Sequence, residues 1–300
     1  MSSQTNRTYK GENLTGWLFI GPSLLGFIVL VFIPVLFSLY LSFNDWNFLE
    51  GFGAIKFSGI TNFAKMLKDE WFTNSFFNNI FFTVVTIPIT TAVSLFLANL
   101  IHRYIYASTV VRVMVFIPYI ASIVAVCAVW QVLFQPSYGP INYILRTIGI
   151  ANPPQWLADF KWALPSIMII YIWQQIGYFI AVYNAGLKGV SHELYEAARI
   201  DGAGEVRQFF TITIPMVSPT TFFLVTMGII GSFKVFDHIS VLTQGGPGSS
   251  SSVMAFYIYR TAFENFRMGY ASALAWALFV LVFIVTLVQW KSQSKFVNYD

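Results

Sequence analysis

Seven long stretches of this chain contain no Asp, Glu, Lys or Arg. They lie between Glu12 and Asp45, Glu70 and Arg103, Arg112 and Arg146, Lys161 and Lys188, Arg207 and Lys234, Asp237 and Arg260, and Arg267 and Lys291. A helix crossing the ~30 Å hydrocarbon core of a bilayer needs about 20 mostly apolar residues. The stretch from His238 to Tyr259 fails on composition: its middle reads Thr-Gln-Gly-Gly-Pro-Gly followed by four serines. Such a segment would leave backbone groups without partners in lipid. Six spans remain, predicted at about 17–43, 76–101, 110–134, 164–187, 214–236 and 269–290.

Composition agrees. Charged residues make up 10% of the chain and hydrophobic ones 56%, against a usual charged share of about 25%. A soluble globule of this size would lack the charge to cover its surface. Trp17 and Trp46 bracket the first span and Trp290 ends the last beside Lys291, as interfacial anchors do. Pro34, Pro88 and Pro118 fall inside spans and predict kinked helices in a bundle. The reading is an all-α integral membrane protein of six transmembrane helices. A polar tail covers 1–16, the membrane domain 17–290 and a second tail 291–300. The first apolar run is far longer than a signal-peptide core, so it reads as a retained span.

The net charge of +4 is carried by cations scattered singly between apolar runs. They read as lipid-flanking residues. No basic run with interleaved aromatics suggests nucleic acid. Cys127 is the single cysteine, so no intrachain disulfide is possible. With the amino terminus inside, Arg7, Lys10, Arg103, Arg112, Lys188, Arg199, Arg207, Lys291 and Lys295 crowd the shorter inner segments. That density favours both termini in the cytoplasm.

What the spans lack narrows the function. None carries a charge near its midpoint, where proton-coupled carriers and pumps place one. His102, His192 and His238 are far apart in sequence, and no metal-ligand spacing occurs. There is no G-x-x-x-x-G-K-[ST] phosphate loop. The chain is therefore expected to bind no metal or cofactor, and any uphill transport draws its energy from elsewhere. Polar uncharged groups do sit within spans: Gln131 with Gln135 after it, then Trp173, Gln174, Gln175, Tyr178, Tyr183 and Asn184. Such amides serve either as interhelical glue or, beside aromatic faces, as contacts for a carbohydrate. Both readings stay open.

The loop at about 188–214 is the most informative segment. Ser191 is placed to cap a helix whose early Glu193 and Glu196 favour its dipole. Leu194, Ala197 and Ala198 fall on one face. Asp201-Gly202-Ala203-Gly204 stops the helix, since glycine accepts the left-handed cap conformation. A second short helix, carrying Phe209, leads through Ile212-Thr213-Ile214-Pro215 into the fifth span. A short helix with small alanines on one face and carboxylates on the other suits a cleft on another protein. It suits an anionic leaflet poorly, because lipid-bound helices are usually rich in Lys and Arg.

Glu196-Ala197-Ala198, Gly202, and Ile212-x-Ile214-Pro215 at these spacings resemble the EAA signature of binding-protein-dependent ABC importer permeases, with Ile214 where the family has leucine. Gly21-Pro22-Ser23-Leu24, Ser42-Phe43-Asn44-Asp45-Trp46, Gly59-Ile60-Thr61-Asn62-Phe63 with Asn79, Leu242 to Gly248, and Gly269-Tyr270-Ala271-Ser272-Ala273 resemble the carbohydrate permeases of the maltose-related group. The resemblance implies the type I importer permease fold in a bacterial or archaeal plasma membrane. It also implies a second homologous permease, two ATPase subunits holding the ATP and Mg, and an extracytoplasmic sugar-binding protein. Glu196, Ala197, Ala198, Asp201, Gly202, Ala203, Phe209, Ile212 and Pro215 would then contact or support the ATPase. The candidate sugar pathway is Gln131, Trp173, Gln174, Gln175, Tyr178 and Asn184. The alternatives are a membrane scaffold that recruits a partner through the same loop, a sugar-phosphate importer of the same family, and an intramembrane enzyme. The last lacks any nucleophile–base pair.

Overall fold

The computed structural model describes residues 8–104 and 108–296. Helix dominates. α1 (Thr8–Phe27) passes through a π turn at Ile28–Phe32 into α2 (Ile33–Ser42). A two-stranded antiparallel ribbon follows, β1 (Asn44–Asp45) with β2 (Lys56–Phe57), then α3 (Thr61–Met66). α4 (Glu70–Tyr104), α5 (Ser108–Ile120), α6 (Ile123–Leu133) and α7 (Pro140–Thr147) come next, then α8 (Ala163–Lys188). The remainder is α9 (His192–Ile200), α10 (Glu205–Gln208), a π turn at Phe209–Thr213, α11 (Ile214–Met216), α12 (Ser218–Phe233), α13 (Asp237–Leu242), α14 (Met254–Tyr259) and α15 (Met268–Phe296).

Among the described residues, four helical runs are long and apolar enough to cross a membrane unbroken: Thr15–Ser42, Glu70–Arg103, Ala163–Lys188 and Met268–Gln293. The third and fifth expected spans are instead bent pairs. α5 and α6 meet at 94°, and Glu205–Met216 meets α12 at 67°. Counting each pair as one span gives six.

Proline sets much of this geometry. A proline inside a helix clashes with the carbonyl four residues earlier and removes one hydrogen bond. The π turn at 28–32 comes just before Pro34, and that at 209–213 just before Pro215. In each case the wider turn falls at the carbonyl that the ring would strike. Pro118 lies two residues before the end of α5, next to the 94° break, whereas α4 runs on through Pro88.

The chain divides into two compact units, residues 1–66 with 260–276, and 67–259 with 277–300. In the first, Asn62 donates through Nδ2 to the carbonyls of Ser42 and Asn44 at 3.0 and 2.9 Å. Gly269 lies so close to Asn44 that an added Cβ would collide with its carbonyl oxygen. The second unit holds two hydrophobic clusters. One centres on Phe82, Ile167, Ile170 and Ile239, the other on Phe179, Ile180, Tyr183 and Leu224. Glycines let the helices close: a Cβ on Gly177 of α8 would stand 2.3 Å from the Val115 carbonyl of α5, and one on Gly186 2.5 Å from the Thr220 hydroxyl of α12. Small residues at such crossings are the usual packing device between membrane helices.

Candidate coupling loop and translocation face

α9 begins where Ser191 accepts from the Glu193 amide at 3.3 Å. It ends where Gly202, at φ +78°, takes the left-handed conformation that costs other residues about 1 kcal/mol. The Ala203 amide then closes back on the Ala198 carbonyl at 2.8 Å. Gln208 is buried and donates to the Ala203 carbonyl at 2.8 Å, tying α10 to the end of α9. Tyr195 bonds Thr213 at 3.0 Å, and the Arg103 guanidinium covers its ring at 4.6 Å.

These bonds give α9 an inner and an outer face. Tyr195 and Ala198 turn inward and are half-buried, while Glu196, Ala197, Asp201 and Gly202 are exposed. Leu194 and Ile200 are exposed beside them, Ile200 at 87%. Ala203, Ile212 and Pro215 are half-buried. Phe209 packs against the second hydrophobic cluster. The loop is thus anchored from within and leaves an apolar strip with carboxylates at its margin.

The six residues expected on the sugar pathway do not share one surface. At about 100° per residue, Gln174, Gln175 and Tyr178 fall on one side of α8, and Trp173 and Asn184 on nearly the opposite side. Trp173 stands edge-on to Trp130 at 5.5 Å. Asn184 donates to the Ile180 carbonyl at 2.9 Å and borders a groove with Arg112, Phe116 and Lys188. Gln131 donates to the Val241 carbonyl at 3.1 Å, joining α6 to α13.

On the first side, Gln174 is buried and its Oε1 accepts from Nε2–H of His238 at 2.8 Å. Gln175 lies one helical turn from the buried Tyr171, on the same side of α8. Tyr178 stacks on Tyr119 with ring centroids 5.0 Å apart. The polar groups still accessible on this face are Gln175 and Tyr178, both half-buried.

Three members were missed in the sequence. Tyr171 and Tyr178 bracket the amides at i, i+3, i+4 and i+7, so the helical period would have found Tyr171. Tyr119 and His238 come from other helices, and no local pattern announces them.

The segment 237–259, rejected as a span, is ordered by packing. Asn78 donates through Nδ2 toward the carbonyls of Ser249, Ser250 and Ser252 at 2.9 to 3.1 Å. Ser75 meets Ser252, and Thr243 meets Ser251. Asn79 donates to the Ser232 carbonyl and accepts from the Met254 amide.

Residues 71–290 match the family described as the inner membrane component of binding-protein-dependent transport systems. The chain belongs to that family. This permease is 32% identical over 285 residues to "Lactose transport system permease protein LacF" of Rhizobium radiobacter, covering 92% of this chain and 93% of that one. It is 31% identical over 285 residues to "sn-glycerol-3-phosphate transport system permease protein UgpA" of Agrobacterium fabrum, covering 94% and 96%. Its fold matches the crystal structure of a bacterial ABC transporter involved in the import of the acidic polysaccharide alginate. The TM-score is 0.84 at 22% identity, over 98% of this chain and 100% of that chain. The permease has the type I importer fold and is a multi-pass protein of the plasma membrane. It is a non-catalytic transport subunit, ATP hydrolysis belonging to separate subunits. Among the described residues no group of three His, Cys, Asp or Glu could hold a metal ion.

Proposed function

We propose that this permease forms half of the translocation pathway for a sugar or oligosaccharide. A second, homologous permease supplies the other half. Two cytoplasmic ATPase subunits hold the ATP and Mg and dock on the exposed strip around Glu196, Ala197, Asp201 and Gly202. An extracytoplasmic binding protein delivers the sugar to the opposite side, and both termini of the chain lie in the cytoplasm. ATPase closure pushes α9, the helices rotate as a body, and the site between the permeases opens outward. Hydrolysis returns it inward, the alternation general to transporters.

The observation that carries the sugar reading is the face of α8. An amide, Gln175, and a stacked tyrosine pair, Tyr178 on Tyr119, stand side by side there. Amides exchange hydrogen bonds with hydroxyls, and aromatic faces cover the apolar side of a pyranose. Neither Lys nor Arg lies on this face between Tyr171 and Tyr178, which favours a neutral sugar over a sugar phosphate.

The test is uptake by proteoliposomes holding the whole transporter with its binding protein, over a panel of sugars and glycerol 3-phosphate. One sugar should be taken up, and Gln175→Ala with Tyr178→Ala should raise its KM severalfold while leaving basal ATPase activity in place. Uptake of glycerol 3-phosphate alone would favour the sugar-phosphate reading. ATPase subunits that copurify with no uptake of anything would favour the scaffold.

A further inference from the structure

Behind α9, on the face opposite the exposed Leu194–Ile200 strip, lie two adjoining hollows. The outer one, about 230 Å³, is lined by His102, Arg103, Val190, His192, Tyr195, Arg199 and Glu205. The other, about 250 Å³, runs along the end of α4 past Phe96 and Leu100 and is closed by Val206, Phe209 and Phe210. Arg103 and Glu205 border both.

The electrostatics of this corner are unbalanced. Arg103 and Arg199 line the outer hollow beside the imidazoles of His102 and His192. Among the described residues neither Arg103 nor Arg199 forms a salt bridge, and Nη2 of Arg103 is buried with no hydrogen-bond acceptor. His192 is engaged with Glu196 at 3.1 Å, and the one carboxylate on the wall, Glu205, leaves a cationic surplus. A guanidinium N–H without an acceptor is an unsatisfied donor, and the hollow beside Arg103 is where an anionic acceptor could approach this guanidinium.

The second hollow continues from that cationic mouth into an apolar surface. Phe96 is seven residues from Arg103 on one helix, roughly 10 Å along its axis at ~1.5 Å per residue. Val206 and Phe210 are 74% and 62% exposed on the opposite wall. A phosphate at Arg103 would therefore sit at the end of the span, with about 10 Å of apolar groove leading back toward the membrane. Basic pockets between helices on the cytoplasmic side are suited to anionic lipid headgroups.

We infer that Arg103 and Arg199 hold the phosphate of an anionic phospholipid, with an acyl chain laid along Phe96, Leu100, Val206 and Phe210. The bound lipid braces α4 against α10 and leaves the outer face of α9 free for the ATPase. The inference needs the membrane placement of α4 but not the identity of the transported solute.

The experiment is native mass spectrometry of the intact transporter, equilibrated with phosphatidylglycerol or phosphatidylcholine of identical chains. The wild-type complex should retain phosphatidylglycerol at least about fivefold over phosphatidylcholine. Inorganic phosphate at millimolar concentration should leave that retention unchanged. Arg103→Gln with Arg199→Gln should abolish the preference, Arg103→Lys should keep part of it, and Arg146→Gln, on α7, should keep all of it. Equal retention of the two lipids by the wild type would overturn the inference, whatever the variants do. So would displacement by inorganic phosphate, which would make the site one for free anions.

Discussion

His238 of α13 donates its Nε2–H to Oε1 of Gln174 on α8 at 2.8 Å, with both side chains buried. The pair pins the short helix after the fifth span to the helix that carries the candidate sugar face. Removing one partner strands the other, at a cost of about 1–3 kcal/mol, whereas removing both together costs less than the sum. Gln174→Leu and His238→Phe should each lower the thermal midpoint of the purified transporter by several degrees. The double variant should fall no further than the worse single one. Additive losses would mean that the two side chains act separately.

The same histidine gives a pH dependence. It lies beyond the end of α12, and burial pushes its imidazole down to about 4, with Asp237 opposing the shift. Unfolded, it would titrate near 6.5. The unfolded chain therefore binds the proton more readily, so stability is fully present above about 6.5 and is lost as the pH falls toward 4. The loss is on the order of 1 kcal/mol per pH unit across that window. Thermal midpoints between pH 7.5 and 4.5 should fall more steeply for the wild type than for His238→Asn. Parallel curves would remove His238 from the account.

Gly177 fixes the approach of α5 to α8, where any Cβ meets the Val115 carbonyl. Both are backbone-limited, so the helices must separate to admit a side chain. Gly177→Val should lose most folded material by fluorescence-detected size exclusion, while Gly53→Ala, with nothing within 4 Å of the new methyl, should not. A monodisperse Gly177→Val with wild-type stability would show that this crossing is looser than the geometry says.

Asn78 gathers three carbonyls of the 249–252 turn on one amide. Asn78→Ala should free that turn without touching the α8 face. If this turn receives the binding protein, the concentration of sugar-loaded binding protein needed for half-maximal ATPase stimulation should rise severalfold, with the maximum little changed. An unaltered half-maximum would place the docking surface elsewhere.

How much of this was legible depended on the range of the interaction. Ser191 and Gly202 act within a turn of α9, so the start and stop of that helix could be read from neighbouring residues. The runs around Leu24, Val84, Ile170 and Val280 announced apolar helices by composition alone. The 94° break after Ile120 could not be read, because Pro118 signals a kink but not its size, and α6 is as apolar as a straight continuation of α5 would be. Nor could the order within 237–259. Its serines and glycines look like open loop, and Asn74, Ser75, Asn78 and Asn79, more than 150 residues earlier, give the segment partners. The α8 face was half visible for the same reason: Gln175 and Tyr178 are in one helix, while Tyr119 and His238 arrive by tertiary packing.

If the strip around Glu196 and Gly202 transmits ATPase closure to the membrane helices, a single substitution at its end should break that link. Gly202 is exposed, with no atom within 4 Å of an added Cβ, but holds φ +78°. Gly202→Asp therefore alters the end of α9 at a cost of about 1 kcal/mol and leaves the helix bundle intact. Sugar-dependent ATPase activity and uptake should be measured side by side in proteoliposomes containing the transporter and its binding protein. We expect the variant to insert normally and to lose sugar-stimulated ATPase activity and uptake together. Full sugar uptake by Gly202→Asp at the wild-type rate would contradict the assignment of this loop as the coupling element.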